Sequence, residues 1–539
     1  MMLILKGYVL VATIALVLAF ASPYIVISLL LSWIALSFGL VSLAYCLNKP
    51  NVFRKRTNGK ISLWARWLFI PFFISARSYN AWARRHDSVA SMQEVYPNLF
   101  VSRRLFFSDL AELKEKGITR ICDVTAEFVG LDADMAGEEF DYLTIPTLDH
   151  TSPSLTQLMH ALRWIDCQLS DGEPVVVHCA LGRGRSVFVV AAYLLLSDSA
   201  LSVKDALLSI NKLRSTARLN KNQLRVLETI HTNQELTLEP PTFIIANPVS
   251  GGGKWRQNKA QIIRELSTKF RLRIKETKKD CSATKLTQEV ISQGASRIFA
   301  CGGDGTVTEV ASEIVNTNLT LGIIPCGTAN ALCHVLYGVT SKVMPIETAC
   351  QTLLADNTQK IDTAMCNDHL VLLIMGIGFE QQMIEFAHRQ QKNAKGQFAY
   401  LSGFFNAFVS SDTQEITLQL GDEDNQTLEV HSLVAANIAP FSTVLAHGGE
   451  VPLKDDGKLH VSYLPGPAST ANRMLALSDI TLSSVGLKER ASTFRYASAQ
   501  KVLITSQSPI KYVIDGEVYH DDNILVSMQP KSLNILVPE

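Results

Sequence analysis

The chain has 539 residues, with 50 Lys and Arg against 50 Asp and Glu, and 47% of its residues are apolar. The balanced charge removes the electrostatic case for nucleic-acid binding, and the length allows several domains with cores of their own. Its ten cysteines show no paired or metal-ligating spacing, which points to a reducing, cytoplasmic environment rather than a disulfide framework.

From Gly7 to Leu47 no residue is charged, and most are Leu, Ile, Val, Ala or Phe. About 20 apolar residues cross a bilayer as a helix, so residues 1–48 suffice for a transmembrane hairpin turning at Ser22-Pro23. Lys6 precedes the first span, and Lys49, Arg54, Lys55, Arg56 and Lys60 follow the second. Positive charge on both flanks puts both ends in the cytoplasm, as for an integral protein of the inner (plasma) membrane. A leader cleaved after Ala19-Phe20-Ala21 is the competing reading, and it still leaves one span. Residues 49–90 mix Trp64, Trp67, Phe69, Phe72, Phe73, Tyr79 and Trp82 with Arg66, Arg77, Arg84 and Arg85. That mixture predicts a helix over 61–85 lying in the headgroup layer; an ordinary helix packed on the next domain is the alternative.

The stretch Val175-Val176-Val177-His178-Cys179-Ala180-Leu181-Gly182-Arg183-Gly184-Arg185-Ser186 reads as a buried strand, a glycine-bearing loop and a helix start. A helix N-terminus and a cation lower a thiol's pKa, so Cys179 is a candidate nucleophile forming a phosphocysteine. The loop N–H groups and Arg185 would hold phosphate oxygens, and Ser186 would assist departure of the thiolate. A leaving alkoxide needs a proton. Asp149, in a loop after the strand at Leu143, is the candidate acid; Asp141 is the weaker substitute because it precedes the strand. His178 is expected to order the loop. With Val95–Ser102 as an opening strand pair and helices near Asp205 and Asn222, residues 93–232 resemble the dual-specificity phosphatases. Within that group they look most like the lipid phosphatases acting on phosphatidylglycerophosphate. The domain is expected over 91–235, with no cofactor.

Glu239-Pro240-Pro241 marks a boundary, because prolines stop the preceding helix. Beyond it, three strands each run into a glycine turn: Ile244–Lys254, Arg297–Thr306 and Leu321–Asn330. Backbone N–H groups can approach a phosphate where side chains are missing, and a following helix adds its dipole. Strands and helices alternate to about Leu336. After Val343 short strands follow, at Glu415–Leu420, Leu428–Asn437, Lys458–Leu464 and Lys501–Ser506, as in an antiparallel sandwich. Near the end stands Tyr512-Val513-Ile514-Asp515-Gly516-Glu517.

Together these stretches resemble the diacylglycerol kinase and sphingosine kinase superfamily, from about Pro241 onward. The resemblance implies an α/β nucleotide-binding lobe (241–340) and a β-sandwich lobe (341–539) with ATP between them. By motif, Asn247, Ser250, Gly303, Asp304, Gly305, Thr306 and Thr328 would hold ATP. Asp304 and Asp362 would join a Mg²⁺ network, and Glu517 would be the base taking the lipid hydroxyl proton. One departure stands out: Asn330-Ala331 replaces the Asn-Asp usual in bacterial diacylglycerol kinases.

The expected fold is therefore multidomain: a transmembrane hairpin, an α/β cysteine-phosphatase domain and a two-lobed lipid kinase. The expected function is bifunctional, with membrane lipids and ATP as partners and a homodimer compatible. The alternatives are a protein phosphatase with a regulatory kinase-like module, and a scaffold of two inactive domains.

Overall fold

Two apolar helices open the chain, α1 (Met2–Ala21) and α2 (Ile25–Cys46), and both contain stretches long and apolar enough to cross a membrane. The computed structural model describes residues 2–57, 59–87, 89–131, 140–378, 413–439, 453–466 and 494–539. It divides into two units, Met1–Pro240 with Ala260–Arg273, and Pro241–Lys259 with Ile274–Glu539. Ser28 Oγ donates to the Ala19 carbonyl at 2.6 Å and closes the turn between the two helices. The turn end is bare: Phe20 is 85% and Ile25 75% exposed. The other end is covered, with Phe38, Val41 and Tyr45 packed among Phe53, Phe69 and Phe72.

The single helix expected over residues 61–85 is two, α3 (Leu63–Leu68) and α4 (Ile70–Arg85). Pro71 sits in the first turn of α4 and has no N–H to continue α3, so the chain breaks at Phe69. The break splits the aromatic residues into two sets. Phe69, Phe72 and Phe73 are buried against the hairpin, whereas Trp64, Trp67 and Trp82 stay exposed. Trp67 stacks on Trp33 of α2 with ring centres 5.1 Å apart. Both readings of this segment thus have a physical counterpart, one on each face.

The next domain holds a five-stranded sheet in the order β1-β2-β5-β3-β4, from β1 (Met92–Tyr96), β2 (Leu99–Ser102), β3 (Arg120–Asp123), β4 (Asp141–Thr144) and β5 (Val175–His178). β1 is antiparallel to β2, and the other pairs are parallel. All four residues of β5 are buried, as its unbroken valine run requires of a central parallel strand. The helix Arg185–Ser197 that follows is buried along residues 185–195; apolar on every side, it can only be a core helix. Helices Leu155–Ser170, Val203–Leu213 and Lys221–Thr232 start at Ser154, Ser202 and Asn220, whose side chains accept N–H groups of the first turn.

In the second unit β6 (Thr242–Ala246), β7 (Leu272–Glu276), β8 (Arg297–Gly302) and β9 (Thr320–Pro325) are ordered β9-β8-β6-β7, with β8 parallel to both β6 and β9. The antiparallel strands are β10 (Thr358–Cys366), β11 (His369–Val371), β12 (Ile374–Gly378), β13 (Gln414–Leu420), β14 (Gln426–Ala436), β15 (Leu459–Pro465), β16 (Arg495–Ala499), β17 (Lys501–Ile514) and β18 (Glu517–Leu536). The two groups share a 13-stranded sheet, because the end of β18 runs parallel to β9 at Asn534 and Ile535. β18 can serve both because it shifts register against β10 between Ile361 and Thr363, opposite Pro530, Lys531 and Ser532. Lys531 there has φ 51°, a left-handed conformation.

Candidate functional site

The first site lies where β5 ends, at the carboxyl edge of the parallel strands, the usual place for ligand loops in such sheets. Three successive carbonyls of the loop are turned outward. Ala180 O accepts from Asn80 Nδ2 of α4 at 2.9 Å and from the Arg104 N–H at 3.2 Å. Leu181 O and Gly182 O accept from the buried Arg214 guanidinium at 3.1 and 2.7 Å. With carbonyls held outside, the loop's amides are free to converge on an anion. Gly182 is required here: its φ is +65°, and a Cβ would stand 2.7 Å from Arg214 Nη2 and from Ser102 O.

Cys179, Arg185, Ser186 and Asp149 lie together at this loop. Cys179 Sγ is 3.4 Å from Ser186 Oγ. Burial pushes the Cys179 thiol up, but the Arg185 charge and hydrogen bonds from Ser186 outweigh it, and the net direction is down. Arg185 is gripped by Glu127, with Nη1 to Oε2 at 2.9 Å and Nη2 to Oε1 at 2.7 Å. Its Nη1 also donates to Thr147 O at 2.8 Å. Burial works against the Arg185 charge, yet Glu127 and Asp149 hold its pKa well above the ordinary value. Its Nε is buried and, among the described residues, has no acceptor. Asp149 Oδ1 lies 3.2 Å from Arg185 Nη2, and its side chain is 42% exposed. Asp141, by contrast, is level with Val175 at the start of the strands, so Asp149 is the carboxylate that faces the loop.

Sequence reasoning missed Glu127. A carboxylate four residues beyond a buried strand is the signal that was available. It also missed the support beneath the loop. Lys55, from the segment after the hairpin, is buried and donates to Asp123 Oδ2 at 2.5 Å and to Thr125 O at 2.8 Å. Tyr142 Oη joins Asp123 Oδ2 and His178 Nε2, each at 3.1 Å. His178 is therefore part of a buried network that orders the strand end.

The second site is made by the three glycine turns of the kinase-like half. Gly251 has φ +55°, and a Cβ on it would lie 2.3 Å from Cys326 O. A Cβ on Gly327 would lie 2.3 Å from Gly303 Cα. The loops after β6, β8 and β9 therefore touch backbone to backbone. Lys254 Nζ donates to Gly327 O at 2.7 Å, and Asn330 clasps Gly327 through both its side-chain atoms. Asn247 Nδ2 reaches Thr306 Oγ1 at 3.4 Å. Gly303 caps the helix Asp304–Ile314, whose N-terminus opens on this platform. Ser250, Asp304, Gly305 and Thr328 lie on the same three turns. Such a cradle, closed to any side chain, fits a polyphosphate.

Asp304 Oδ1 accepts the Leu332 N–H at 3.3 Å, so this carboxylate caps the helix that begins at Ala331. Asp515 and Gly516 form the two-residue turn between β17 and β18, with φ 47° and 104°, as Asp-Gly favours. The Asp515 carboxylate accepts the N–H groups of Leu372, Leu373 and Ile374 at 2.7–3.0 Å. It is pushed up to about 6, chiefly by burial; those N–H groups oppose the rise and Asp304 adds to it. The two distant motifs are thus within electrostatic reach. Glu517 is exposed at the start of β18. Asp362, the second residue expected in the magnesium network, holds backbone here. Its Oδ1 and Oδ2 accept the Lys531 and Gly457 N–H groups at 2.7 and 2.6 Å, so it braces the irregularity in β18. Among the described residues no group of three His, Cys, Asp or Glu side chains could hold a metal. Mg²⁺ needs only one or two carboxylates beside substrate phosphates, a demand that Asp304 fits.

The dual specificity phosphatase catalytic domain matches residues 100–233, and the diacylglycerol kinase catalytic domain matches residues 241–366. An uncharacterised protein of Synechocystis sp. is 33% identical over 310 residues, covering 55% of this chain and 70% of that one. A Staphylococcus epidermidis protein that carries a lipid kinase name is 26% identical, covering 49% of this chain and 85% of its own length. A crystal structure of a diacylglycerol kinase from Bacillus anthracis superposes with a TM-score of 0.41 at 19% identity, over 55% of this chain and 97% of that one. The chain therefore carries a diacylglycerol kinase catalytic domain match over residues 241–366, with a dual specificity phosphatase catalytic domain match over residues 100–233 ahead of it.

Proposed function

We propose that this chain is a membrane-anchored bifunctional enzyme, a lipid kinase joined to a cysteine-dependent phosphatase that acts on a phospholipid headgroup. The observation that carries the phosphatase reading is the Arg185 guanidinium, buried with an unmet Nε donor beside a thiol whose pKa is lowered. Cys179 Sγ attacks phosphorus, the P–O bond to the alcohol breaks, and Asp149 gives the leaving oxygen its proton. Water then releases phosphate from the phosphocysteine while Ser186 stabilises the departing thiolate. In the kinase half, Asn247, Ser250, Gly303, Gly305, Thr306 and Thr328 would hold ATP. Asp304 would hold Mg²⁺, which supplies charge neutralisation on the phosphates. Glu517 takes the proton of the lipid hydroxyl. The apolar hairpin, with its exposed far end, supports anchoring with both domains on the cytoplasmic face.

The test uses the purified full chain in mixed lipid vesicles with Mg²⁺ and γ-labelled ATP, as wild type, Cys179→Ser and Glu517→Ala. A labelled lipid that builds up further in Cys179→Ser and disappears in Glu517→Ala supports both activities on a shared lipid. No labelled lipid at all sinks the kinase half of the reading.

A further inference from the structure

A cavity of about 750 Å³ joins the phosphatase loop to the membrane helices. Its lining includes Cys179 and Arg185 of the loop together with Gly7 and Val11 of α1, Phe38 of α2 and Phe72 of α4. Tyr8 and Tyr45 line it as well and form an aromatic collar with Phe38 and Phe72. Tyr8 packs edge-on against Tyr45 and Phe72 with ring centres 5.6 and 5.5 Å apart. Tyr45 Oη accepts the Asp149 N–H at 3.2 Å, so a residue of the hairpin holds the candidate acid directly.

Gly7 shows what the apolar end is for. Glycine in a membrane helix usually lets another backbone come close. Here nothing lies within 4 Å of the position its Cβ would take. Gly7 is exposed and part of the cavity lining, and no helix contact is made through it. α1 and α2 have the length and apolarity to cross a bilayer, so the cavity lies at the mouth of the hairpin, where Tyr8 and Tyr45 suit the headgroup level and Val11 lies one turn further along α1.

We propose that the hairpin is the lipid half of the phosphatase active site. The hydrocarbon chain of a lipid phosphate monoester lies in the apolar branch beside Gly7, while its phosphate sits in the Cys179–Arg185 loop. This rests on the lipid-phosphatase reading and extends it. A phosphopeptide offers nothing to fill an apolar branch that faces the bilayer. A lipid headed by phosphate matches the sequence of surfaces from thiol to collar to hydrocarbon. The substrate reaches Cys179 without leaving the membrane.

The test is reconstitution of the full chain in phosphatidylcholine vesicles as wild type, Gly7→Leu and Gly39→Leu. Gly39, on α2, also has open space around its Cβ position but is not part of the cavity lining, so it controls for added bulk in a membrane helix. Phosphate release is followed from dioleoyl phosphatidic acid, phosphatidylglycerophosphate and sphingosine phosphate in separate vesicles, and from p-nitrophenyl phosphate and a phosphotyrosine peptide in solution. The expected result is a tenfold or greater loss of kcat/KM on the cleaved lipid phosphate in Gly7→Leu. The aryl phosphate should stay within twofold, as should both substrates in Gly39→Leu. If wild type cleaves a lipid phosphate and Gly7→Leu matches it, the chain does not lie beside Gly7 and the inference is overturned. An equal loss on lipid and aryl substrates overturns it too, because the glycine then serves the loop rather than the chain. If wild type cleaves the peptide and no lipid phosphate, the lipid-phosphatase reading itself fails and the inference goes with it.

Discussion

Glu127 and Arg185 meet as a two-toothed ion pair with both side chains buried, at 2.7 and 2.9 Å. The pair fixes the plane of the guanidinium and leaves its Nε turned elsewhere. Removing one partner strands a charge out of water, at a cost of roughly 3–5 kcal/mol. Glu127→Ala should therefore lower the thermal midpoint of the phosphatase unit and reduce kcat/KM on an aryl phosphate at least a hundredfold. Glu127→Gln, which keeps shape and an acceptor, should lose less stability. Differential scanning fluorimetry beside steady-state kinetics checks both, and an unchanged kcat/KM in Glu127→Ala would count against the pair's role.

Lys55 ties the segment behind the hairpin to the floor of the phosphatase loop through Asp123. Burial pushes the Asp123 carboxyl up, but Lys55, His178 and Thr125 bring it down to about 2 against an ordinary 3.8. The folded state thus binds this proton less tightly than the unfolded chain. Its contribution, about 2 kcal/mol, is present above pH 4 and is lost as pH falls from about 4 through about 2. Thermal midpoints of the phosphatase unit measured between pH 2 and 6 should fall on acidification. Asp123→Asn should start lower at neutral pH and show a shallower acid slope.

Gly251→Ala should separate the two activities. A methyl at that position meets the Cys326 carbonyl and a backbone with φ +55°, so the loops after β6 and β9 must part. Lipid phosphorylation should drop tenfold or more and nucleotide affinity should weaken by calorimetry. Aryl phosphate hydrolysis should stay within twofold.

Asp515 behaves with the opposite sign to Asp123. Its carboxyl is raised to about 6, so the folded state holds this proton more tightly than the unfolded chain. Its contribution is fully present below about 4 and is lost as pH rises through about 6. Above 6 the carboxylate accepts the N–H groups of Leu372, Leu373 and Ile374 as an ion, which fixes the turn ahead of Glu517. The kinase rate should accordingly fall on acidification through pH 6, and Asp515→Asn should flatten that limb of the pH–rate profile.

Much of the placement of the candidate residues is legible in the sequence because it is local. Cys179, Arg185 and Ser186 occupy one strand-loop-helix stretch whose apolar run and glycines dictate its path. The glycine turns after β6, β8 and β9 are local in the same way, and so is the bare apolar run of the hairpin.

What the sequence left open is what depends on elements far apart in the chain. Glu127 and Arg185 are 58 residues apart, and their pairing exists only because β3 and β5 lie side by side. Asp362 reads in the sequence as an acidic residue of a magnesium network, and only the fold shows that its oxygens accept the Lys531 and Gly457 N–H groups. The break at Phe69 is local, yet its consequence, a phenylalanine face on the hairpin and a tryptophan face outward, required the packing to be seen. The sequence alone determined the strand-turn-helix paths of the Cys179–Ser186 loop and of the three glycine turns, because such loops are built from neighbours. Only the tertiary structure decided that the two apolar N-terminal helices line the cavity at Cys179, because a wall is made where burial brings separate segments together.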